Sequence, residues 1–174
     1  LWHEFTHVIT LNLTHNRMPR WVSEGISVYE ERLRDPAWGE RMTPTYRDMI
    51  LGDDLTPVGK LSGAFLNPKS PAHVQFAYFE SSLVIEYLVN QYGLDALHGI
   101  LADLGAGVGI NDALERHTTP LPELETEFAA YVTRLANEYE PGTDWSMPVL
   151  GEFGPSPEQR LKQYLDENPN NYRA

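Results

Sequence analysis

The chain has 174 residues, with 25 acidic against 13 basic side chains and a formal charge of −12. That length suits one domain with a sizeable core, or one domain with a small appendage, and the charge sets a nucleic-acid backbone aside as a partner. Cysteine is absent, which excludes disulfides and thiolate metal ligands; no apolar run is long enough to span a bilayer and no signal peptide is visible.

The chain opens on Leu1-Trp2-His3-Glu4-Phe5-Thr6-His7. On a helix, His3 and His7 project from one face, one turn apart. Two imidazoles so placed reach one tetrahedral zinc, and the carboxylate of Glu4 stands beside the first as a base for a metal-bound water. A metal needs a third protein ligand. The next helix, expected from Pro19 with Trp21, Val22, Ile26, Tyr29 and Leu33 at helical spacing and Pro36 beyond its end, offers Glu24. The polar stretch from Asn12 to Met18 suits a short connection, so the two helices run antiparallel and return Glu24 to the histidines. Two His, one Glu and an open fourth position form a catalytic rather than a structural zinc set.

His-Glu-x-x-His followed by Trp21, Glu24, Gly25, Tyr29 and Glu31 resembles the gluzincin metallopeptidases, the clan of aminopeptidase N and thermolysin. It is most similar to the bacterial peptidase-MA-like domains that are often fused to tetratricopeptide repeats. The gap from His7 to Glu24 is slightly shorter than in aminopeptidase N. A metzincin pattern fails, because it needs a glycine and a third histidine where this chain has Thr10 and Leu13. The resemblance implies a mainly α fold, the C-terminal helical part of a gluzincin-like domain, with the preceding substrate-binding sheet outside this chain. The motif helix would itself extend a turn further back, so the expectation is a fragment of something longer.

Thr43-Pro44 reads as an N-cap and first residue of a short helix to about Leu51. From Gly52 to Lys69 the chain is loop-like, with two prolines and two glycines between its ends, and is expected to cover one side of the cleft. Ser70-Pro71 opens a long helix to about Tyr92, closed by Gly93, with Phe76, Phe79, Leu83, Ile85, Tyr87 and Leu88 inward. Within it, the segment from Ala77 to Leu83 is similar to the aminopeptidase segment whose tyrosine faces the zinc, and that resemblance assigns Tyr78 to the oxyanion. Further helices are expected over Leu94 to Leu104, Asn111 to His117, and Pro122 to about Tyr139 with Leu124, Phe128, Tyr131, Val132 and Leu135 inward. The glycine run between the first two is a connector, since no phosphate-loop Lys-Ser or Lys-Thr follows it.

The domain reading is thus a catalytic domain over 1–140, a Pro/Gly-rich linker over 141–157 and a helical extension over 158–174. The extension, Glu158 to Glu167 broken by Asn168-Pro169, is similar to a tetratricopeptide boundary and implies protein partners bound through such repeats.

The chemistry expected is zinc-dependent hydrolysis of a peptide or protein substrate. One zinc ion per chain is held by His3, His7 and Glu24 and lowers the pKa of its water. Glu4 takes the proton and passes it to the leaving amine, and Tyr78 steadies the oxyanion. Glu31 lies seven residues after Glu24 on the same helix face and can accept a hydrogen bond from a ligating ring. His73 is a lesser candidate for the oxyanion, by analogy with thermolysin-like enzymes. His15, His98 and His117 carry no constellation. The four tryptophans are read as packing anchors. The alternative is a catalytically silent metallopeptidase-like scaffold working through its repeats. Proteins of this type are often exported, which points to a periplasmic or secreted location.

Overall fold

The computed structural model describes residues 1–149 and 156–173. Among them the chain is mainly α, with eight α-helices, one 3-10 helix and no strand beyond an isolated bridge between Asp144 and Asn171. Two compact units divide it, Leu1–Asn137 and Glu138–Ala174.

The first unit begins with α1 (Trp2–Leu13) and α2 (Arg20–Arg34). The reversal between them is tight because His15 and Asn16 both take left-handed backbone, with φ of 50° and 58°. It is pinned from outside. The Arg17 guanidinium donates to the Gly105 carbonyl at 2.8 Å, and a Cβ on Gly105 would stand 2.9 Å from the Leu13 carbonyl oxygen. The connection is shorter than expected from sequence, since Asn12 and Leu13 still belong to α1.

α1 turns an unusual face to the protein. Thr6, Thr10 and Thr14 are buried, and each hydroxyl donates to the carbonyl four residues back, at 3.1, 2.9 and 2.9 Å. A hydroxyl satisfied on its own helix can face a core without an orphaned donor. The apolar side chains Phe5, Val8, Ile9 and Leu13 are exposed.

α2 lies between α1 and α4 (Pro71–Tyr92) and packs on both. Gly25 sets the second distance. A Cβ there would meet the Ser81 carbonyl oxygen at 2.7 Å, so the two backbones approach as only glycine allows. The expected apolar face holds for Trp21, Val22, Ile26 and Tyr29 but not for Leu33, which is 62% exposed. Leu33 lies in the last turn, next to the extended Asp35.

α3 (Pro44–Leu51) starts as expected, with the Thr43 hydroxyl accepting from the Tyr46 N–H at 3.1 Å. The segment read as a loop from Gly52 to Lys69 instead contains a 3-10 helix, Val58–Phe65. Its prolines and glycines hide a core pattern: Val58, Leu61 and Phe65 are buried, the first two eclipsed one 3-10 turn apart. α4 carries the expected Phe76, Phe79, Leu83, Ile85, Tyr87 and Leu88, and also buries Glu80, Ser81, Ser82 and Val84. It is enclosed on nearly every side.

α5 (Leu94–Gly105), α6 (Ile110–His117) and α7 (Leu121–Glu138) close the core behind α4. Leu124, Phe128 and Val132 of α7 are fully buried. Glu86 of α4 joins α2 to α7, paired with Arg32 and accepting from the Tyr131 hydroxyl at 3.0 Å.

In the second unit, the Tyr172 N–H donates to the Asp144 carbonyl and the Asp144 N–H to that of Asn170, both at 2.9 Å. Trp145 lies against the rings of Tyr139 and Tyr172. α8 (Pro157–Glu167) opens on a capping box made by Ser156 and Gln159. The expected linker over 141–157 falls partly outside the described residues. Trp21 is the buried anchor the sequence suggests; Trp2 and Trp38 stand 37% and 44% exposed, as packing anchors would not.

Candidate metal centre

The antiparallel pair α1 and α2 brings His3, His7 and Glu24 together, with one ligand atom from each lying within 4.8 Å of the others. The Nε2 atoms of His3 and His7 stand 3.2 and 3.3 Å from one oxygen, Oε2 of Glu24. The two rings meet edge to face, 4.7 Å apart, as expected for side chains one helical turn apart.

The opposite ring nitrogens are held from α2. His3 Nδ1 faces Glu31 Oε2 at 3.2 Å. His7 Nδ1 faces the hydroxyls of Ser23 at 2.8 Å and Ser27 at 3.2 Å. An Nδ1–H that donates to Glu31 leaves the Nε2 lone pair of His3 facing Glu24. Two ring nitrogens and a carboxylate oxygen thus converge on one point. That donor set fits a divalent cation and leaves a fourth position open.

The second oxygen of Glu24 has other partners. Oε1 accepts from Arg20 Nε at 3.2 Å and lies 3.5 Å from the Tyr78 hydroxyl. Arg20 also donates through Nη2 to the Tyr78 oxygen at 2.8 Å, and this hydrogen bond is the main reason the guanidinium holds its proton more firmly than usual. Phe65, from the segment read as a loop, packs edge to face on Tyr78 at 5.3 Å. Beside the triad lies a hollow of about 260 Å³ lined in part by His3, Glu31, Gln75 and Tyr78.

A family model, Peptidase MA superfamily, matches residues 1–133. The chain belongs to that superfamily. The match spans α1 through most of α7, so the His/His/Glu cluster lies inside the peptidase MA domain. The domain is therefore of a metallopeptidase-like kind, from a superfamily whose members are generally metal-dependent. No curated protein and no solved structure matches the chain.

The structure brings five residues singled out in the sequence, His3, His7, Glu24, Glu31 and Tyr78, to one site of the peptidase MA domain. Glu4 is next to His3 on the exposed side of α1, and its carboxylate engages no other described residue. His73 is drawn elsewhere. Its Nε2 faces Asp54 at 3.4 Å and its Nδ1 faces Ser70 at 2.8 Å, away from the triad. His15 and His98 are exposed, and His117 pairs with Asp103.

Sequence reading missed Arg20, Ser23, Ser27 and Phe65. The signal for three of them was present. Arg20, Glu24, Ser27 and Glu31 recur at spacings of four, three and four, a polar stripe along one helix face, with Ser23 one turn before Ser27. The apolar stripe of the same helix drew the reading away from it. Phe65 had no such signal, because prolines and glycines flank its segment.

Proposed function

We propose that this domain hydrolyses peptide bonds with a zinc ion held by His3, His7 and Glu24, as a gluzincin-type peptidase. The observation that carries the proposal is the convergence of two imidazole Nε2 atoms on one Glu24 oxygen, while the other Glu24 oxygen points to Tyr78. Bound there, zinc supplies Lewis-acid activation of a water and of the scissile carbonyl.

The chain's own residues do the rest. Glu31, Ser23 and Ser27 hold the two rings so that Nε2 faces the ion. Glu4, unengaged and beside His3, accepts the proton of the attacking water and returns it to the leaving amine. Tyr78 offers its O–H to the oxygen on which negative charge develops. The hollow at His3, Gln75 and Tyr78 admits the substrate backbone.

The test is mass spectrometry of a mixed peptide pool incubated with the zinc-loaded protein, beside its Glu4→Gln variant and a chelated sample. Cleavage lost in both controls supports the peptidase, and the positions of the new ends tell internal cutting from trimming. Bound zinc without cleavage supports the scaffold reading, in which the domain serves its partners through the C-terminal helices.

A further inference from the structure

Arg20 occupies a place that a surface ion pair does not explain. An exposed i, i+4 pair such as Arg20–Glu24 contributes little by itself, because solvent screens it and both side chains lose freedom. Here the guanidinium has two acceptors on two helices: Glu24 Oε1 of α2 at 3.2 Å and the Tyr78 oxygen of α4 at 2.8 Å. It is also backed by a third element. Its carbon lies 5.1 Å from the ring centre of Phe65, which in turn packs on Tyr78. A planar fork stacked on an aromatic face, with two directed N–H groups in use, is preorganised in a way a lysine ammonium is not.

Two consequences follow from this geometry. The Glu24 carboxylate is divided, Oε2 toward the histidines and Oε1 toward Arg20, so the guanidinium sets which oxygen faces the cation site. The Tyr78 oxygen also accepts a hydrogen bond from Arg20, so its own O–H is left to donate elsewhere, toward Glu24 Oε1 at 3.5 Å or toward an oxyanion beyond it.

We infer that Arg20 is a positioning residue that locks the carboxylate of the ligand Glu24 and the hydroxyl of Tyr78 into one unit, orienting the first for the metal and the second for the oxyanion. The kinetic part of this inference rests on the peptidase reading; the metal-binding part does not.

The experiment is a double-mutant cycle on the folded, zinc-reconstituted protein with Arg20→Gln, Tyr78→Phe and the pair, together with Arg20→Lys. Zinc affinity is measured by competition with a chromophoric chelator, and kcat and KM on a peptide that the wild type cleaves, at saturating zinc. Circular dichroism and thermal unfolding confirm that each variant folds. Arg20→Gln is expected to weaken zinc about tenfold and to lower kcat about ten- to a hundredfold with KM little changed. The kcat loss should largely vanish in the Tyr78→Phe background, since the two side chains act as one unit. Arg20→Lys should recover only part of it. A KM rise at unchanged kcat would make Arg20 a substrate contact and overturn the inference, as would independent, additive losses from Arg20 and Tyr78. Should the wild type cleave nothing, that failure falls on the peptidase reading alone. The zinc measurement then decides, and unchanged affinity in Arg20→Gln overturns the positioning role.

Discussion

Helices α1 and α4 both line the site, yet they are built on opposite rules. α4 buries Phe76, Phe79, Leu83, Ile85 and Leu88 together with polar Glu80, Ser81 and Ser82, and offers Tyr78 to the site from its less enclosed side. α1 buries only Thr6 and Thr10 along its length and leaves Phe5, Val8 and Ile9 exposed. A hydrophobic pattern locates α4 and misplaces α1. α1 is positioned by what its polar face must reach: two ring nitrogens to a carboxylate, two to the polar stripe of α2, and threonine hydroxyls to their own backbone. Chemistry is specified on one helix and packing on the other, and α2 joins them.

That contrast can be broken at measurable points. The largest effect belongs to α1. Glu4→Gln removes the proposed general base without touching a buried contact, so activity should fall about 10²–10⁴-fold while zinc content and melting temperature stay as in the wild type. An active variant would remove Glu4 from the mechanism. The next effect belongs to the joint between α2 and α4. Gly25→Ala drives a methyl into the Ser81 carbonyl and should destabilise the fold by about 3 kcal/mol, read by urea unfolding. A variant of wild-type stability would show that the helices separate freely.

A smaller change is expected from the polar stripe of α2. Glu31→Gln keeps the shape but weakens the acceptor for His3 Nδ1, and zinc affinity should drop about tenfold in chelator competition.

Glu80 on α4 offers a pH-resolved test. Burial pushes its carboxyl up to about 8, only partly opposed by the Thr56 N–H that donates to it. Its surroundings include Asp54, Lys60, Lys69 and His73. A carboxyl held neutral in the folded protein and ionising near 4.5 when unfolded stabilises fully below pH about 4.5, and that contribution is lost as pH rises to about 8. Glu80→Gln should lack this decline, so its melting temperature gains on the wild type across that window. Parallel pH profiles would show that Glu80 is ionised in the fold. The smallest effect returns to α1. Thr10→Val exchanges a hydroxyl already satisfied on its own helix for a methyl group and should stay within about 1 kcal/mol of wild type.

Much of the site was legible because its signals are local. His3 and His7 one turn apart, Glu24-Gly25 on the next helix, and the segment around Tyr78 are short patterns whose chemistry constrains residue identity, and the structure brings them together. Gly25 shows how such a pattern mixes purposes: beside Glu24 of the cluster, it is needed for the approach of α4. Less local features escaped. The 3-10 helix around Leu61 was hidden because Pro and Gly punctuate it, and its buried positions make sense only against α2 and α4. His73 lies near enough in sequence to Tyr78 to suggest a shared site, yet its direction on α4 takes it to Asp54.

The sequence by itself determined the residue types of the His/His/Glu cluster, their helical spacing, the long core helix from Pro71 to Tyr92 and the absence of cysteine. These follow from residue identity and from the 3.6-residue period, which act within one or two turns of chain. Only the tertiary structure decided that Glu24 divides its oxygens between two histidines and Arg20, that Ser23 and Ser27 hold His7, and that Phe65 stands behind Tyr78. Such relations join residues far apart in the chain, His3 and Glu24 at 21 positions and Arg20 and Tyr78 at 58. They depend on how closely helix backbones approach and which way side chains point across the gap, and no period along the chain encodes either.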